Sequence, residues 1–335
     1  MINCINIFII IFCLAIIFTL IYTLCIKSSS KYSPSSHSEV NFLIMGDWGG
    51  KSDKPYTTEE QIITAQGMEK IGKKNNAKFA LALGDNFYSK GVSDVNDPRF
   101  QNTFENVFTG YLKSPGFVFH VLAGNHDHLG NVNAQIEYSN KSKRWSFPSL
   151  WYTWKEGPIQ FIFLDTVTLT GSLYGNELPG PKNILKFKSQ LEWLEDTLSK
   201  STAEFIIVAG HQNIYGVCTH NSNKILINTI KPLLEKYNVS MWVNGHDHCG
   251  LYINVGDGIQ YHTVGSAHDN EASTKFLKTI PNKKNLIWKV KKGVKGGFAA
   301  VKVKNNKLQL THHAGDGTVL YTAPKIYPRK RINLR

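Results

Sequence analysis

The sequence predicts an α/β fold of four layers, an αββα sandwich in which two β-sheets pack face to face and helices cover their outer surfaces. Short apolar runs alternate along the chain with segments of helical spacing, and such alternation builds α/β layers. In the last quarter of the chain the pattern changes to short alternating strands. With 335 residues, 42% of them hydrophobic, one large domain with short appendages is the expected organisation.

The amino-terminal segment 1–26 is predicted to be a signal peptide or a signal anchor that crosses a membrane. Residues 5–26 contain no charged side chain, and about 20 apolar positions are enough to span the hydrocarbon core of a bilayer. The first residues, 1–6, carry no Lys or Arg, which a cleaved signal peptide would have, so a retained anchor is favoured. The Ser-rich segment 27–39 is then a flexible linker.

The folded domain contains five apolar runs that are typical of buried strands. Each run ends in a turn of small residues that carries polar side chains, as in Gly46-Asp-Trp-Gly-Gly50 after the first run. The five runs are 40–45, 79–83, 117–122, 205–208 and 240–243. Because ligands collect beyond the carboxyl ends of strands in open α/β sheets, we expect these polar turns to meet at one edge.

Segments of helical spacing separate these strands. The first, 57–74, begins Thr-Thr-Glu-Glu like a capping box, and the others are 184–199 and 225–237. The alternating strands near the carboxyl terminus include 297–303 and 307–311, with glycine turns between strands. We expect these late strands to form the second sheet of the sandwich.

The polar turns together contain seven side chains that can bind a metal ion. They supply carboxylate, phenol, carboxamide and imidazole groups: Asp47, Asp85, Tyr88, Asn125, His211, His246 and His248. Seven ligands are too many for one ion, whereas two ions about 3.5 to 4 Å apart, bridged by one carboxylate, would use all of them. Such a pair clamps the attacking and leaving oxygens of an in-line displacement, so the pattern predicts a site for phosphoryl transfer.

The order and spacing of these motifs resemble the metallophosphoesterase superfamily, whose fold is the calcineurin-like αββα sandwich. Tyr88, three residues after Asp85, resembles the purple acid phosphatases in particular. Further stretches resemble the small, single-domain, tartrate-resistant type: 99–108, 121–131, 143–145 and 164–168. The resemblance extends from about residue 41 to 328, and it predicts a catalytic domain over 40–328 and a basic tail over 329–335.

The resemblance implies how the seven ligands are divided between two metal ions. Fe(III) would be held by Asp47, Asp85, Tyr88 and His248. Fe(II), Zn or Mn would be held by Asp85, Asn125, His211 and His246, so that Asp85 is the bridge. The ligand chemistry agrees, because two carboxylates and a phenolate form a hard, anionic set suited to a trivalent ion, whereas an amide oxygen with two imidazoles suits a divalent one.

By the same resemblance, the chain would be an acid phosphatase that hydrolyses phosphate monoesters by attack of a metal-bound hydroxide. His126, adjacent to Asn125, would protonate the leaving group or clamp the phosphoryl oxygens. His220 lies nine residues after His211, as the second histidine of the substrate pocket does in the family. A phosphodiesterase or a phosphoprotein phosphatase on the same scaffold is the alternative, although neither is expected to place a phenolate such as Tyr88 on the metal.

Two features depart from the family pattern. Gln212 and Asn213 follow His211, where the family usually has an aromatic residue and Pro, and this change would alter the shape of the pocket. Cys218 and Cys249 do not match the usual disulfide of the family, but both belong to loops expected to converge on the site. A bond between them is possible in an oxidising compartment. With only these two cysteines outside segment 1–26, the domain does not depend on a disulfide framework.

The net charge of +13 comes from the carboxyl-terminal end. Residues 271–335 hold 16 Lys and Arg against 2 acids, so the rest of the chain is nearly neutral. No nucleic-acid-binding motif accompanies this region, so we expect a solvated basic surface and no specific nucleic-acid partner. A non-enzymatic protein that binds polyanions through this end is a further alternative, but none of the seven ligands is missing.

The expected location is the secretory pathway, with the domain anchored to a membrane in a lysosome-like or vacuole-like compartment, or outside the cell. The resemblance implies this, since the family works in secretory or lysosomal spaces. Lys27 and Lys31 follow the apolar segment and, by the positive-inside rule, would instead hold the domain in the cytoplasm. The expected partners are a phosphomonoester substrate and the membrane, and the catalytic domain is expected to be monomeric.

Overall fold

A computed structural model describes residues 39–174, 177 and 179–330 of the chain. The predicted signal peptide or anchor, almost all of the linker and the end of the basic tail therefore lie outside the described residues. Within the described part, no helix is both long enough and apolar enough to cross a bilayer.

Fourteen strands form two sheets in the described part of the chain. In chain order they are β1 (Val40–Met45), β2 (Phe79–Ala82), β3 (Val118–Val121), β4 (Trp145–Ser146), β5 (Tyr152–Glu156), β6 (Ile159–Phe163), β7 (Phe205–Gly210), β8 (Met241–Asn244), β9 (Gly250–Ile253), β10 (Gln260–Val264), β11 (Leu286–Lys289), β12 (Gly297–Lys304), β13 (Lys307–Ala314) and β14 (Val319–Thr322). The first sheet has the order β14-β13-β12-β1-β2-β3-β4 and the second has the order β11-β9-β10-β8-β7-β6-β5. The predicted α/β sandwich with two sheets is confirmed.

The helices that connect these strands are α1 (Glu59–Asn75), α2 (Asn125–His128), α3 (Val132–Glu137), α4 (Thr166–Thr170), α5 (Ile184–Ser199), α6 (Lys224–Thr229) and α7 (Lys231–Lys236). Single turns of 3₁₀ or π helix lie at Phe100–Glu105, Gly110–Lys113, Tyr138–Asn140, Leu277–Thr279 and Lys283–Asn285. The Thr58 side chain caps α1 by accepting a hydrogen bond from Gln61 N at 3.1 Å. The predicted helix 184–199 is confirmed as α5. The predicted helix 225–237 is two helices, since Pro232 has no amide hydrogen with which to continue the first.

Of the late strands, β9, β10 and β11 belong to the second sheet as predicted, but β12, β13 and β14 do not, so that part of the prediction is wrong. β12, β13 and β14 extend the first sheet, where β12 pairs antiparallel with β1 and Val40 lies opposite Val303. The physical reason is that β1 is buried over its whole length, and a buried strand needs hydrogen-bond partners on both edges. β5 and β6, which the sequence analysis did not predict, belong to the second sheet.

The turns after β1 and β2 are anchored in the aromatic core. Trp48 is fully buried, packs edge-on against Phe87 with ring centroids 5.8 Å apart, and donates from Nε1 to Asn86 Oδ1 at 3.0 Å. Trp48 follows Asp47 directly, and Asn86 and Phe87 follow Asp85. Because close-packed interiors leave little freedom to shift, burying these neighbours fixes the backbone that carries the first two predicted ligands.

Candidate metal centre

The seven predicted ligands lie together at the carboxyl ends of five strands. In the first sheet, β1 leads to Asp47, β2 to Asp85 and Tyr88, and β3 to Asn125; in the second sheet, β7 leads to His211, and β8 to His246 and His248. The sequence pattern predicted a site at one sheet edge, whereas in the structure both sheets contribute strand ends to the site.

Three of the seven side chains form a first group around Tyr88. The Tyr88 hydroxyl lies 3.1 Å from Asp47 Oδ1 and 3.2 Å from His248 Nε2. The Asp47 and His248 atoms are themselves 3.4 Å apart. A carboxylate, a phenol and an imidazole therefore present their donor atoms to one point.

Asn125, His211 and His246 form a second group. Asn125 Oδ1 lies 3.0 Å from His211 Nε2, which lies 3.2 Å from His246 Nδ1. All three side chains are buried. The Asn125 amide nitrogen donates to the Leu173 carbonyl at 3.1 Å, which leaves the amide oxygen facing the imidazoles. His211 Nδ1 lies 2.9 Å from the Leu83 carbonyl, so Nδ1 carries the proton and Nε2 is available to a metal.

Asp85 lies between the two groups. Its Oδ1 is 3.4 Å from His211 Nε2, and one of its carboxylate oxygens lies within 4.8 Å of donor atoms from both Asp47 and His248. The backbone amide of His126 donates to Asp85 Oδ1 at 3.0 Å. This position fits the bridging carboxylate predicted from the sequence.

Three of the seven residues have a left-handed backbone, with φ of 54° at Asp47, 50° at Asp85 and 65° at His246. Each such conformation costs a non-glycine residue about 1 to 3 kcal/mol and persists only where surrounding contacts hold it. One of these contacts joins two of the strained residues, since Asp47 Oδ2 accepts a hydrogen bond from His246 N at 2.8 Å. Holding these ligands in place therefore lowers the free energy of unfolding of the domain.

The glycines before Asn125 and His246 allow the loops to approach one another. A Cβ at Gly124 would lie 2.1 Å from Asp85 Oδ1, and a Cβ at Gly245 would lie 2.4 Å from Asp47 Oδ2. Real Cβ atoms do not come so close, so only glycine fits at these two positions. In both cases the obstructed atom belongs to a ligand of a different loop.

The electrostatics of the site fit two cations. Burial raises the pKa of the Tyr88 hydroxyl well above its usual value of 10, and the Asp47 and Asp85 carboxylates raise it further. Burial lowers the pKa of His211, but the Asp85 carboxylate outweighs it and raises this pKa to about 9. The carboxylates thus retain protons on their neighbours, and metal cations would supply the same positive charge in place of those protons.

Asp127 and His128 hold the Asn125 loop. The buried Asp127 carboxylate accepts hydrogen bonds from Gly124 N at 2.8 Å and from Asn86 N at 3.1 Å. His128 Nε2 pairs with Asp165 Oδ1 at 3.0 Å. The Asp127 contacts tie the turn after β2 to the turn after β3.

His126 stands at the entrance to the site, with 31% of its side chain exposed. Its Nδ1 lies 2.6 Å from the Ser89 carbonyl, which can only accept, so Nδ1 carries a proton. Its Nε2 lies 4.0 Å from Asp85 Oδ2, and the ring contacts Tyr88 edge-on at 4.7 Å. The free nitrogen of His126 therefore lies on the side of the predicted bridge.

His220 lies on the other side, against the second group. Its ring stacks on His246 with centroids 3.8 Å apart and an interplanar angle of 22°, and burial lowers its pKa. Within the described part of the chain, no group hydrogen-bonds to His220 Nδ1. The two predicted catalytic histidines thus flank the seven predicted ligands.

The residues that depart from the family pattern connect the loops around the site. Cys218 and Cys249 are fully buried and form a disulfide. Gln212 is buried and accepts a hydrogen bond from Thr170 Oγ1 at 2.6 Å, and Asn213 Nδ2 donates to the Asn221 carbonyl at 2.8 Å. Gln212 and Asn213 therefore fasten neighbouring loops.

Two contacts to the site were missed in the sequence analysis. His268, left unassigned there, stacks on Tyr88 with centroids 4.2 Å apart, and its Nδ1 lies 3.1 Å from the Asp47 carbonyl. Asp269 Oδ2 lies 3.8 Å from His248 Nδ1. Both come from the loop after β10, which carries no motif, so only tertiary packing reveals them.

A cavity of about 510 Å³ lies behind the Asn125 loop, with a lining that includes His128, Leu173, Lys182 and Lys186. The Leu173 carbonyl accepts the Asn125 hydrogen bond, but none of the seven predicted ligands lines the cavity.

Comparisons with known proteins agree with this geometry. The calcineurin-like phosphoesterase family matches residues 40–250, a range that contains all seven predicted ligands, His126 and His220. Tartrate-resistant acid phosphatase type 5 of Homo sapiens is 34% identical over 293 residues, which cover 84% of this chain and 89% of that protein. Purple acid phosphatase 7 of Arabidopsis thaliana is 31% identical and covers 69% of this chain and 70% of that protein.

Among solved structures, GAP50, the anchor in the inner membrane complex of Plasmodium, is similar with a TM-score of 0.73. The alignment covers 88% of this chain and 90% of that chain at 24% sequence identity. At this level of identity the similarity shows a common fold.

Proposed function

This chain belongs to the calcineurin-like phosphoesterase family, and from that membership we propose that it is a metal-dependent acid phosphatase of the purple type, which hydrolyses phosphate monoesters. The observation that supports this most directly is the arrangement of seven donor side chains in two groups, with Asp85 between them. The 34% identity to a tartrate-resistant acid phosphatase covers most of both chains, which supports the same substrate class.

We assign Fe(III) to the first group with Asp85, and Fe(II), Zn or Mn to the second group with Asp85. The first group holds Tyr88, whose pKa is raised by burial and by two carboxylates, so only a strongly Lewis-acidic cation could replace the phenol proton. When bound, the two cations polarise the phosphoryl group and activate water. The buried carboxylates and imidazoles fix where that chemistry happens.

We assign His126 the role of proton donor to the leaving group. The Ser89 carbonyl fixes its Nδ1, so Nε2 is the atom that can deliver a proton to the departing alkoxide or hydrogen-bond a phosphoryl oxygen. Its partial exposure lets the alcohol product leave toward solvent. His220, stacked on His246, is assigned to the phosphoryl oxygens on the opposite side.

The two alternatives receive less support. A phosphodiesterase or phosphoprotein phosphatase would need no phenol at the metal, yet the Tyr88 hydroxyl lies within 3.2 Å of both Asp47 and His248. A non-enzymatic, polyanion-binding protein would have no use for strained ligands, yet Asp47, Asp85 and His246 all keep a positive φ.

We place the protein in the secretory pathway, with its amino-terminal segment as signal or anchor. The buried Cys218–Cys249 disulfide supports an oxidising compartment, and the uncharged stretch 5–26 supports membrane targeting. In sealed vesicles from expressing cells, the domain should resist added protease until detergent is present. Digestion without detergent would place the domain in the cytoplasm.

The test of the proposed function is the colour and activity of Tyr88→Phe. Wild-type protein carrying two metals per chain should hydrolyse p-nitrophenyl phosphate at acid pH and show a visible phenolate-to-iron band. Tyr88→Phe removes the oxygen but keeps the ring, so the band should disappear while at least one metal stays bound. Tyr111→Phe, a tyrosine far from the ligands whose hydroxyl bonds the Ala77 carbonyl, is the matched control and should keep the band. Active, fully metallated wild-type protein without colour would contradict the iron assignment.

A further inference from the structure

Asp247 is completely buried between two proposed ligands, His246 and His248, but no metal role is assigned to it. Its carboxylate instead accepts five hydrogen bonds from the neighbouring segment 217–220. Oδ2 accepts from Val217 N at 2.8 Å and Cys218 N at 2.9 Å, and Oδ1 accepts from Thr219 N at 2.5 Å, Thr219 Oγ1 at 3.0 Å and His220 N at 3.0 Å.

Four successive backbone amides thus converge on one carboxylate. Such a concave row of N–H groups is a binding place for an anion, and hydrogen bonds to a charged acceptor are about twice as strong as neutral ones. The segment 217–220 is therefore shaped around Asp247. An uncharged side chain of the same size would leave several of these buried amides without an acceptor.

Two further links join the same segments. The disulfide connects Cys218 to Cys249, and Thr219 Oγ1 accepts a hydrogen bond from His248 N at 3.2 Å. We call Asp247, the segment 217–220 and this disulfide the Asp247 clasp. It fastens the loop after β7 to the turn after β8, which carries two proposed ligands.

The last residue held by the Asp247 clasp is His220. Its ring lies flat on His246 at 3.8 Å, yet within the described residues its Nδ1 has no hydrogen-bond partner. His126 differs, because the Ser89 carbonyl orients its ring directly. The ring of His220 is therefore placed by its stacking on His246 and by its own backbone, and Asp247 holds that backbone.

We propose that Asp247 is a positioning residue for the reaction: through the clasp it keeps the His220 imidazole beside the second metal group, where it can contact the phosphoryl oxygens. This proposal rests on the proposed function for the role of His220. The clasp itself is independent of the reaction, so the two can be tested separately.

The first experiment measures the clasp without using activity. Hydrogen exchange of the metal-loaded protein, followed by mass spectrometry of a peptide covering 216–221, should show strong protection of these amides. Asp247→Asn replaces one carboxylate oxygen by an N–H donor, so their exchange should become at least about tenfold faster, the effect of a loss of about 1.4 kcal/mol in local opening. Fast exchange in the wild-type protein would overturn the clasp, whatever the enzyme hydrolyses.

The second experiment is a double-mutant cycle on the turnover of p-nitrophenyl phosphate. His220→Ala should lower kcat by about 10²-fold, the usual effect of removing one donor to developing charge. Asp247→Asn should lower it by a similar factor, keep two metals per chain and keep the visible band. Because both changes remove the same contribution, the double variant should be no slower than His220→Ala alone.

Multiplicative losses in the double variant, or loss of metal from Asp247→Asn, would mean that Asp247 acts through the ligands, and the proposal would be rejected. Should wild-type and His220→Ala protein both be inactive while the amides are protected, the proposed function fails and the clasp stands.

A second variant and a control come from the same loop. Cys218→Ser with Cys249→Ser removes the covalent link but keeps the five hydrogen bonds, so it should lower kcat less than Asp247→Asn and also have no effect in a His220→Ala background. Ser222→Ala is the control, since the Ser222 hydroxyl contacts Thr279 Oγ1 at 3.0 Å and Gly216 N at 3.4 Å, and neither of these groups bonds to Asp247. It should leave both kcat and the exchange of 217–220 near wild type. If the two cysteine substitutions lowered kcat as much in the His220→Ala background as in wild type, the disulfide would not act through His220 and would not be part of the Asp247 clasp.

Discussion

The buried pair of His262 and His312 should make this protein lose stability in acid. His262 lies on β10 of the second sheet and His312 on β13 of the first, and His262 Nδ1 is 3.1 Å from His312 Nε2. His262 Nε2 is 3.1 Å from the side-chain oxygen Gln260 Oε1, which can only accept. The His262 Nδ1 atom must therefore accept the proton of His312 Nε2.

A proton added to His262 would face that N–H group. Burial lowers the pKa of His262 from 6.5 to about 3, and burial together with the neighbouring His262 lowers the pKa of His312 well below 6.5. Below pH 6.5 the unfolded chain binds protons that the native protein does not, so the free energy of unfolding decreases as pH falls toward the native pKa. At about 1.4 kcal/mol per proton and pH unit, His262 alone should remove about 3 kcal/mol between pH 7 and 4.

The substitution His312→Gln tests this pH dependence. The glutamine amide can still donate a hydrogen bond to His262 but does not titrate. Urea unfolding at pH 7, 6, 5 and 4 gives the free energy of unfolding of both proteins. The slope against pH should be smaller in the variant by about 1 kcal/mol per pH unit or more. Release of metal in acid is common to both proteins and cancels in the difference.

His128→Gln is a control that should change the pH dependence of the free energy of unfolding in the opposite direction. Burial alone would lower the pKa of His128, but the Asp165 carboxylate raises it above 6.5 overall. The stabilisation from this pair is therefore complete below the unfolded pKa of 6.5 and is lost as pH rises through the raised native pKa, so His128→Gln should steepen the slope only at the pH 6 to 7 end of the series and leave it unchanged at lower pH. Parallel pH dependences for wild type and His312→Gln would contradict this prediction, because His312 would then bind protons equally in the native and unfolded states.

The remaining predictions concern the metal centre. Asp85→Ala should abolish hydrolysis and release at least one ion, because the repulsion between two cations loses its bridging anion; metal analysis and turnover test this, and two metals with near-normal activity would exclude the bridge. His126→Ala should keep both metals but lose about 10²- to 10⁴-fold in kcat, the usual contribution of a placed proton donor; a simultaneous collapse of metal content would make His126 a ligand.

The elements that the sequence predicted well are those whose signals are local. β1 and α5 have the predicted bounds. The first does so because a largely apolar run ends at a glycine, and the second because Asn183 caps the helix start by accepting hydrogen bonds from two amides. The seven predicted ligands also depend on local patterns, since five of them directly follow a glycine at the end of a strand, and Tyr88 and His248 lie in the same turns as Asp85 and His246. The structure brings all of them together.

What the sequence could not predict depends on distant partners. β12 joins β1, although more than 250 residues separate the two strands, and no local pattern tells one sheet from the other. Asp247 was not singled out for the same reason: its neighbours His246 and His248 are marked by a motif, but its five bonds go to a loop 27 to 30 residues earlier in the chain. The contact between His268 and Tyr88 is equally nonlocal.

The interlocked glycines have a consequence for how this chain could diverge during evolution. A Cβ at Gly124 would lie 2.4 Å from the backbone nitrogen of Asp85, so Gly124 is needed whatever side chain stands at position 85 and whether or not a metal is bound, whereas Gly245 is needed for as long as Asp47 keeps its carboxylate. A descendant that abandoned catalysis would be free to replace Asp85 or Tyr88, but it would still be held to these glycines. In such lineages the presence of the glycines would indicate common descent, whereas the presence of the metal-binding side chains would indicate catalytic activity.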